Sequence, residues 1–126
     1  MALSDSFPHL GFRKDIATDV ATTDFEIDIP SAAYVVKYVV VYDASGDNSL
    51  ATLGVFTEAE GAGTTIVTDA ALTTHDGAAA DVSERTVIAP ATTLKVTADK
   101  LYVRIGTASG EAGTTISVAV YGYELP

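Results

Sequence analysis

Cysteine is absent from these 126 residues. Disulfides and thiolate metal centres are therefore excluded, and stability does not depend on an oxidising compartment. Tryptophan is absent too. A sugar-cleaving cleft needs two rigidly held carboxylates, usually among aromatics, so the loop pair Glu58 and Glu60 makes a poor glycosidase. Histidine is scarce: only His9 and His75 occur. Neither has a His, Cys or Glu at metal-ligand spacing such as HExxH, and both read as loop residues. No G-x-S-x-G elbow is present, so Ser45 before Gly46 reads as a turn serine. Phosphate loops of the GxxxxGK[ST] kind are missing, since the glycine pairs in EGAG and GEAG carry no Lys. No catalytic residue, cofactor or metal is expected.

Positive charge is the next shortage. Seven Lys and Arg face 17 Asp and Glu, for a formal charge of -10. Such a surface repels nucleic acid and anionic membrane, both of which bind by phosphate neutralisation, so neither is an expected partner. It suits a partner with a basic patch. Long apolar runs are also missing: nothing approaches the ~20 residues of a membrane helix, and the opening MALSDSFPHLGFRKD has no apolar core of a secretory leader. The one asparagine, Asn48, precedes Ser-Leu and forms no glycosylation sequon.

What is abundant is Val, Thr, Ala and Gly, which favours strands and turns. The strongest stretch is Tyr34 to Tyr42, YVVKYVVVY, with Lys37 its only charge. Alternation would put Tyr34, Val36, Tyr38, Val40 and Tyr42 on one face and Val35, Lys37, Val39 and Val41 on the other. Both faces are mostly apolar, so a central strand is expected, covered on one side by the core and on the other by a second layer or subunit. Before it, Asp24 to Ile29 alternates apolar Phe25, Ile27 and Ile29 with acidic Asp24, Glu26 and Asp28. This reads as a half-exposed strand. Residues 1–22 read as an extended arm, and residues 23–126 as the folded body. The arm's Phe7, Leu10 and Phe12 must dock somewhere, on the body or on a partner, because free tails are poor in aromatics.

After Tyr42, DASGDNS reads as a turn, and LATLGVFT as a strand forming a hairpin with the central one, with a bulge at Gly54. Asp43, Ser45, Asp47 and Asn48 could supply oxygen to Ca²⁺, but they lack the calcium-loop pattern, and Asx-turn chemistry explains them. Further strands are expected at Thr64 to Thr68, Glu84 to Ala89, Thr93 to Thr97, Lys100 to Thr107 and Thr114 to Glu124. A helical turn capped by Asp69 is expected over Asp69 to Leu72. AGTTI occurs twice, at Ala62 to Ile66 and Ala112 to Ile116, each time leaving a Gly-rich loop for a strand. About eight short strands at this spacing predict an all-β fold: an antiparallel two-sheet sandwich of jelly-roll or Greek-key type. The Tyr34 stripe is read as packing. Tyr102, Arg104, Tyr121 and Tyr123 point outward and are read as partner contacts, since Tyr and Arg are enriched at interfaces.

From Leu50 onward the chain resembles small structural proteins of tailed-phage virions. The matching stretches are ATLGVFTEAEGAGTTIVTDAALT, then TLKVTADKLYVRIGTASGEAGTTISVAVYGYEL. The resemblance implies a capsid decoration, or cement, protein. Made in the host cytoplasm, it would sit as a homotrimer on the outer surface of the assembled head, bind the major capsid protein and carry no catalytic residue. If the arm grips the shell, Phe7, Leu10, Phe12 and Arg13 are the candidates. Two rivals remain. A receptor- or carbohydrate-binding module of a tail, spike or head fibre predicts an exposed aromatic groove. A small cupin-like enzyme would need a histidine cluster inside the barrel, and His9 and His75 lie far apart in sequence.

Overall fold

The computed structural model describes residues 9–77 and 85–126. The Val/Thr/Tyr-rich runs form eight strands: β1 (His9–Ala17), β2 (Thr23–Asp28), β3 (Tyr34–Ser45), β4 (Thr52–Phe56), β5 (Thr65–Ala71), β6 (Arg85–Ile88), β7 (Lys100–Thr107) and β8 (Thr115–Glu124). They make two antiparallel sheets, ordered β1-β8-β3-β6 and β2-β7-β4-β5. The pairs β1–β8, β2–β7, β3–β6 and β4–β5 nest inside one another. The chain is one long hairpin, turned at β4–β5 and rolled across two layers, which is a jelly roll.

The core follows from alternation. Val36, Val39, Val41, Ile116, Val118 and Val120 face inward from the first sheet, against Ile27, Leu53, Val55, Leu101, Val103 and Ile105 of the second, and all are buried. Each such side chain contributes roughly 2 kcal/mol on leaving water. Strands approach closely where side chains are missing. A Cβ on Gly122 of β8 would run into the Val35 carbonyl of neighbouring β3 and lie 3.0 Å from Leu10 Cδ1 of β1. A Cβ on Gly11 of β1 would lie 2.6 Å from the Asp28 carbonyl. These two glycines let β1 lie against both its neighbour and the opposing sheet.

Several details differ from the sequence reading. The expected boundary at residue 22 does not divide the fold: β1 lies inside the expected arm and forms the edge of the first sheet against β8. Leu10 and Ile16 belong to the core. The expected strand at Thr93 to Thr97 is replaced by a single bridge between Val96 and Tyr34. β3 and β4 are not a hairpin, since they lie in different sheets. Asp69 to Ala71 continues β5 and does not form a helical turn. The two AGTTI copies share a left-handed glycine (Gly63 φ 73, Gly113 φ 79) but serve different connections. The first closes the β4–β5 hairpin, and the second carries the chain between sheets.

β3 carries the most consequential departure. Its register against β8 shifts between Val36 and Tyr38, and again between Tyr42 and Ser45. An extra residue in a strand reverses the side-chain alternation beyond it. Tyr34 and Val36 therefore face the core, as do Val39 and Val41, while Tyr38 is set opposite Tyr121 on the outer side. The single tyrosine stripe expected from the sequence is split between two faces.

Candidate interaction surface

The outer face of the first sheet can be read row by row, because directly paired residues share a side. One row runs Phe12, Ala119, Val40, Val87 across β1, β8, β3 and β6. The next is His9, Tyr121, Tyr38, and the third includes Ser117, Tyr42, Arg85. Tyr123 and Val35 continue the face along β8 and β3. The directly paired positions carry no carboxylate, but exposed Asp15 of β1 lies beside Ser117 at one margin and Asp43 of β3 lies near Tyr42. Val40 and Ala119 at the centre are buried, and exposure rises outward to 51% at Phe12 and 63% at Val87.

The rings on this face form a chain. His9 stacks on Phe12 with centroids 5.1 Å apart, and contacts Tyr121 at 5.2 Å. Tyr121 stacks on Tyr38 at 5.1 Å with the planes 19° apart. These are offset-stacking distances. In each stacked pair one face of each ring is covered by the neighbouring ring. Burial, with smaller help from Tyr121 and Asp43, pushes the Tyr42 hydroxyl above its usual range, so it stays a neutral donor at physiological pH.

The outer face of the second sheet differs in kind. Asp24 pairs with Arg104 across β2 and β7 at 3.0 Å, and Glu26 with Lys100 at 3.0 Å. The Glu26 carboxylate, by hydrogen bond and charge, raises the Lys100 ammonium above its usual range. Asp24 also accepts the Glu60 backbone N–H, and Thr52 donates to Asp69. Two of its acids are ion-paired, and it is a polar, acidic surface.

At one end of the roll, the β1–β2, β3–β4 and β7–β8 connections are pinned by a buried polar relay. Thr18 donates its hydroxyl to Asn48 Oδ1 at 2.5 Å. Each hydroxyl has one proton, so Thr114 donates to Thr18 at 2.7 Å and Ser109 to Thr114 at 2.6 Å. Asn48 Nδ2 donates to the carbonyls of Ser45, Gly46 and Thr115. Asn48 N–H donates to the His75 carbonyl at 2.7 Å, bringing in the chain after β5. His75 is not a surface loop residue: it is buried, and its Nε2 lies 2.8 Å from Thr86 Oγ1 on β6. Its Nδ1 has no partner among the described residues. Asp47 closes an Asx turn by accepting from the Ser49 N–H and hydroxyl, which holds its carboxyl below the usual range. Asn48 Oδ1 thus points into the fold, away from the loop oxygens considered for calcium. Among the described residues no three His, Asp or Glu gather at metal-holding distance.

The structure separates the sequence-proposed contact residues. Phe12, Tyr121 and Tyr123 share the aromatic face. Leu10 is 5% exposed and belongs to the core. Arg13 lies on the seam between sheets: its guanidinium sits over the Phe25 ring at 5.6 Å and donates to the Glu26 carbonyl at 3.1 Å. Beside it, β1 and β2 flank an open groove of ≈ 420 Å³. Tyr102 and Arg104 lie on the second sheet, with Arg104 committed to Asp24. Phe7 lies outside the described residues. Sequence reasoning did not assign His9, Tyr38 or Val87 to this surface. Alternation within β1 could have flagged His9 beside Phe12. The bulge that turns Tyr38 outward leaves no mark in composition.

No protein-family model matches the chain, and no curated protein sequence matches it.

Proposed function

We propose that this chain is a non-catalytic capsid decoration protein of a tailed phage, which binds the outer surface of the assembled head and stabilises it. The observation that carries the reading is the contrast between the two sheet faces. One is aromatic, with Asp15 and Asp43 at its margin; the other is polar, with Asp24 and Glu26 ion-paired. A rigid β body with one adhesive face suits a protein that works by contact alone. The resemblance of residues 50–126 to phage virion proteins supports the setting. Individual contacts of this size are weak, and repetition on a lattice multiplies them. The formal charge of -10 discourages sticking to packaged DNA.

The glycan-binding alternative draws on the same rings but fits them less well. A sugar lies flat on an exposed ring face, whereas here stacking covers one face each of His9, Phe12, Tyr38 and Tyr121.

The test is co-sedimentation of purified protein with undecorated phage heads, alongside host cells and a glycan array. The expected result is saturable depletion with heads alone. Binding to cells or glycans without binding to heads overturns the reading in favour of the receptor module. Because β1 begins at His9, the arm is tested by removing residues 1–8 only. Loss of head binding would place the shell contact there, and undiminished binding would remove Phe7 from it.

A further inference from the structure

We infer that the first half of β1, residues 9–13, is a flap: it hinges at the bulge of Lys14 and Asp15, is latched across the seam by Arg13, and opens while the other strands stay folded. The inference concerns the free chain and stands whether or not the aromatic face meets a head. Among the described residues β1 pairs with β8 alone and forms a sheet edge. Arg13 to Ile16 is three steps along β1, but their partners Val118 and Ile116 are two steps apart on β8, so one residue is extra. Asp15 there has φ 57, a left-handed backbone that a non-glycine residue holds only when its surroundings impose it. Its N–H reaches Ser117 Oγ at 3.4 Å, a long bond. A bulge leaves its extra residue out of the ladder, and hinges are the few positions that absorb a change in φ and ψ.

The two sides of that hinge are held very differently. Beyond it, Ile16 is fully buried and Thr18 sits in the buried relay. The Thr18 N–H donates to the Thr114 carbonyl at 3.1 Å, and its carbonyl accepts from the Ser109 N–H at 2.9 Å. Before it, Leu10 is the one large buried side chain, while His9, Phe12 and Arg13 are exposed. No strand pairing crosses the seam from β1 to β2 among the described residues. What crosses it is Arg13, over the Phe25 ring at 5.6 Å and donating to the Glu26 carbonyl at 3.1 Å. The groove of ≈ 420 Å³ alongside leaves that edge open to solvent. Proteins open locally where few buried apolar contacts and solvent-facing backbone bonds hold a segment. The flap carries His9 and Phe12, which join Tyr121 and Tyr38 in the chain of rings, so the latch decides whether the aromatic face is complete.

Opening and whole unfolding respond differently to the same change. Arg13 makes its contacts only in the closed chain. Arg13→Ala therefore raises the open and the unfolded populations alike, by about tenfold for one cation–π contact and one hydrogen bond. Asn48 keeps its bonds whether the flap is closed or open. Asn48→Ala therefore raises the unfolded population and leaves the flap equilibrium where it was. Opening the flap also exposes far less surface than unfolding, so urea promotes it only weakly.

The chain has no cysteine, so a single introduced thiol reports its own exposure. Leu10→Cys and Ile16→Cys are each treated with an aromatic disulfide reagent across low urea concentrations. Reclosing must outpace labelling, so that the rate tracks the open population. The Leu10→Cys thiol is expected to react at least tenfold faster than the Ile16→Cys thiol, with a much shallower urea dependence. Arg13→Ala should speed both about tenfold. Asn48→Ala should speed the Ile16→Cys thiol at least tenfold and leave the Leu10→Cys thiol unchanged. Losing the Leu10 side chain itself loosens the flap, so amide exchange of the parent chain supplies a second readout. Protected amides in residues 9–13 should exchange with little urea dependence, and those in residues 16–18 with the full dependence of unfolding. Equal rates and urea slopes for the two thiols and the two halves of β1 would overturn the inference. So would an Asn48→Ala effect of equal size on both thiols, or an Arg13→Ala variant that leaves the Leu10→Cys thiol unchanged. None of these outcomes decides head binding, which is measured with heads present.

Discussion

Asn48 shows how one residue can determine the behaviour of a whole end of the molecule. Its amide gives both protons to backbone carbonyls and takes one from Thr18, so no part of it is left unbonded. Removing it strands several buried polar groups, each costing about 1–3 kcal/mol without a partner. Asn48→Ala should therefore lose roughly 3 kcal/mol in urea unfolding. Asn48→Asp keeps the shape but sets a carboxylate against three carbonyl oxygens. It should be worse than Ala at pH 7 and recover partly in mild acid, where the carboxyl regains a proton to donate. Equal stability of the two variants at pH 7 would show that the amide donors do not matter. Tyr34 supplies a second prediction. Its ring is buried, its hydroxyl donates to the Ala98 carbonyl at 2.7 Å, and burial, helped by Asp99, pushes it up to about 12. The unfolded phenol ionises near 10. Between those values the unfolded chain has lost a proton that the native state retains, so stability falls as pH rises. The contribution is intact below pH 10 and is lost progressively toward pH 12, on the order of 3 kcal/mol in total. Tyr34→Phe should cost about 1 kcal/mol at pH 7 for the lost hydrogen bond and flatten the alkaline decline, checked by thermal melts from pH 8 to 12.

At the scale of elements, β3 and β8 decide the architecture. β8 pairs with both β1 and β3, and its inward Ile116, Val118 and Val120 are fully buried. Gly122 is the narrow point of that arrangement. Gly122→Ala would press a methyl into the Val35 backbone carbonyl on one side and the buried Leu10 side chain on the other. Loss of several kcal/mol is expected, enough to leave the domain largely unfolded at 37 °C, read by circular dichroism. Many strand positions were legible because half-buried strands alternate: Asp24 to Asp28 and Lys100 to Thr107 fall where their period places them. β1 was hidden. Its two bulges break the alternation, and the charged HLGFRKD hides the buried Leu10 and Ile16. Thr93 to Thr97 misled for the opposite reason. Its pattern suits a strand, but among the described residues only Val96 finds a strand partner.

At the scale of the whole molecule, charge and face are distributed unevenly. Acids line the second sheet and the loops, and on the first sheet Asp15, Asp43 and Glu124 sit toward the strand ends, while its paired outer rows carry rings and aliphatics. Blunted edges leave faces, not strand addition, as the route to assembly. The assembly prediction belongs at this scale: capture by empty phage heads. The make-up of the aromatic face was only partly legible from the chain. Tyr121 and Tyr123 were grouped by their stripe on one strand. Tyr102 and Arg104 were grouped with them, yet they lie on the opposite sheet, because outward orientation within a strand does not say which sheet the strand joins.

The residue order by itself determined that this is an all-β protein without thiol chemistry, acidic, with a valine-rich strand at its centre. Those properties follow from composition and local period, which each segment carries alone. Only the tertiary structure decided which strands became neighbours and which side of β3 each tyrosine took. Sheet order is fixed by contacts between residues distant in sequence, and a one-residue bulge reverses a strand's faces without altering its composition.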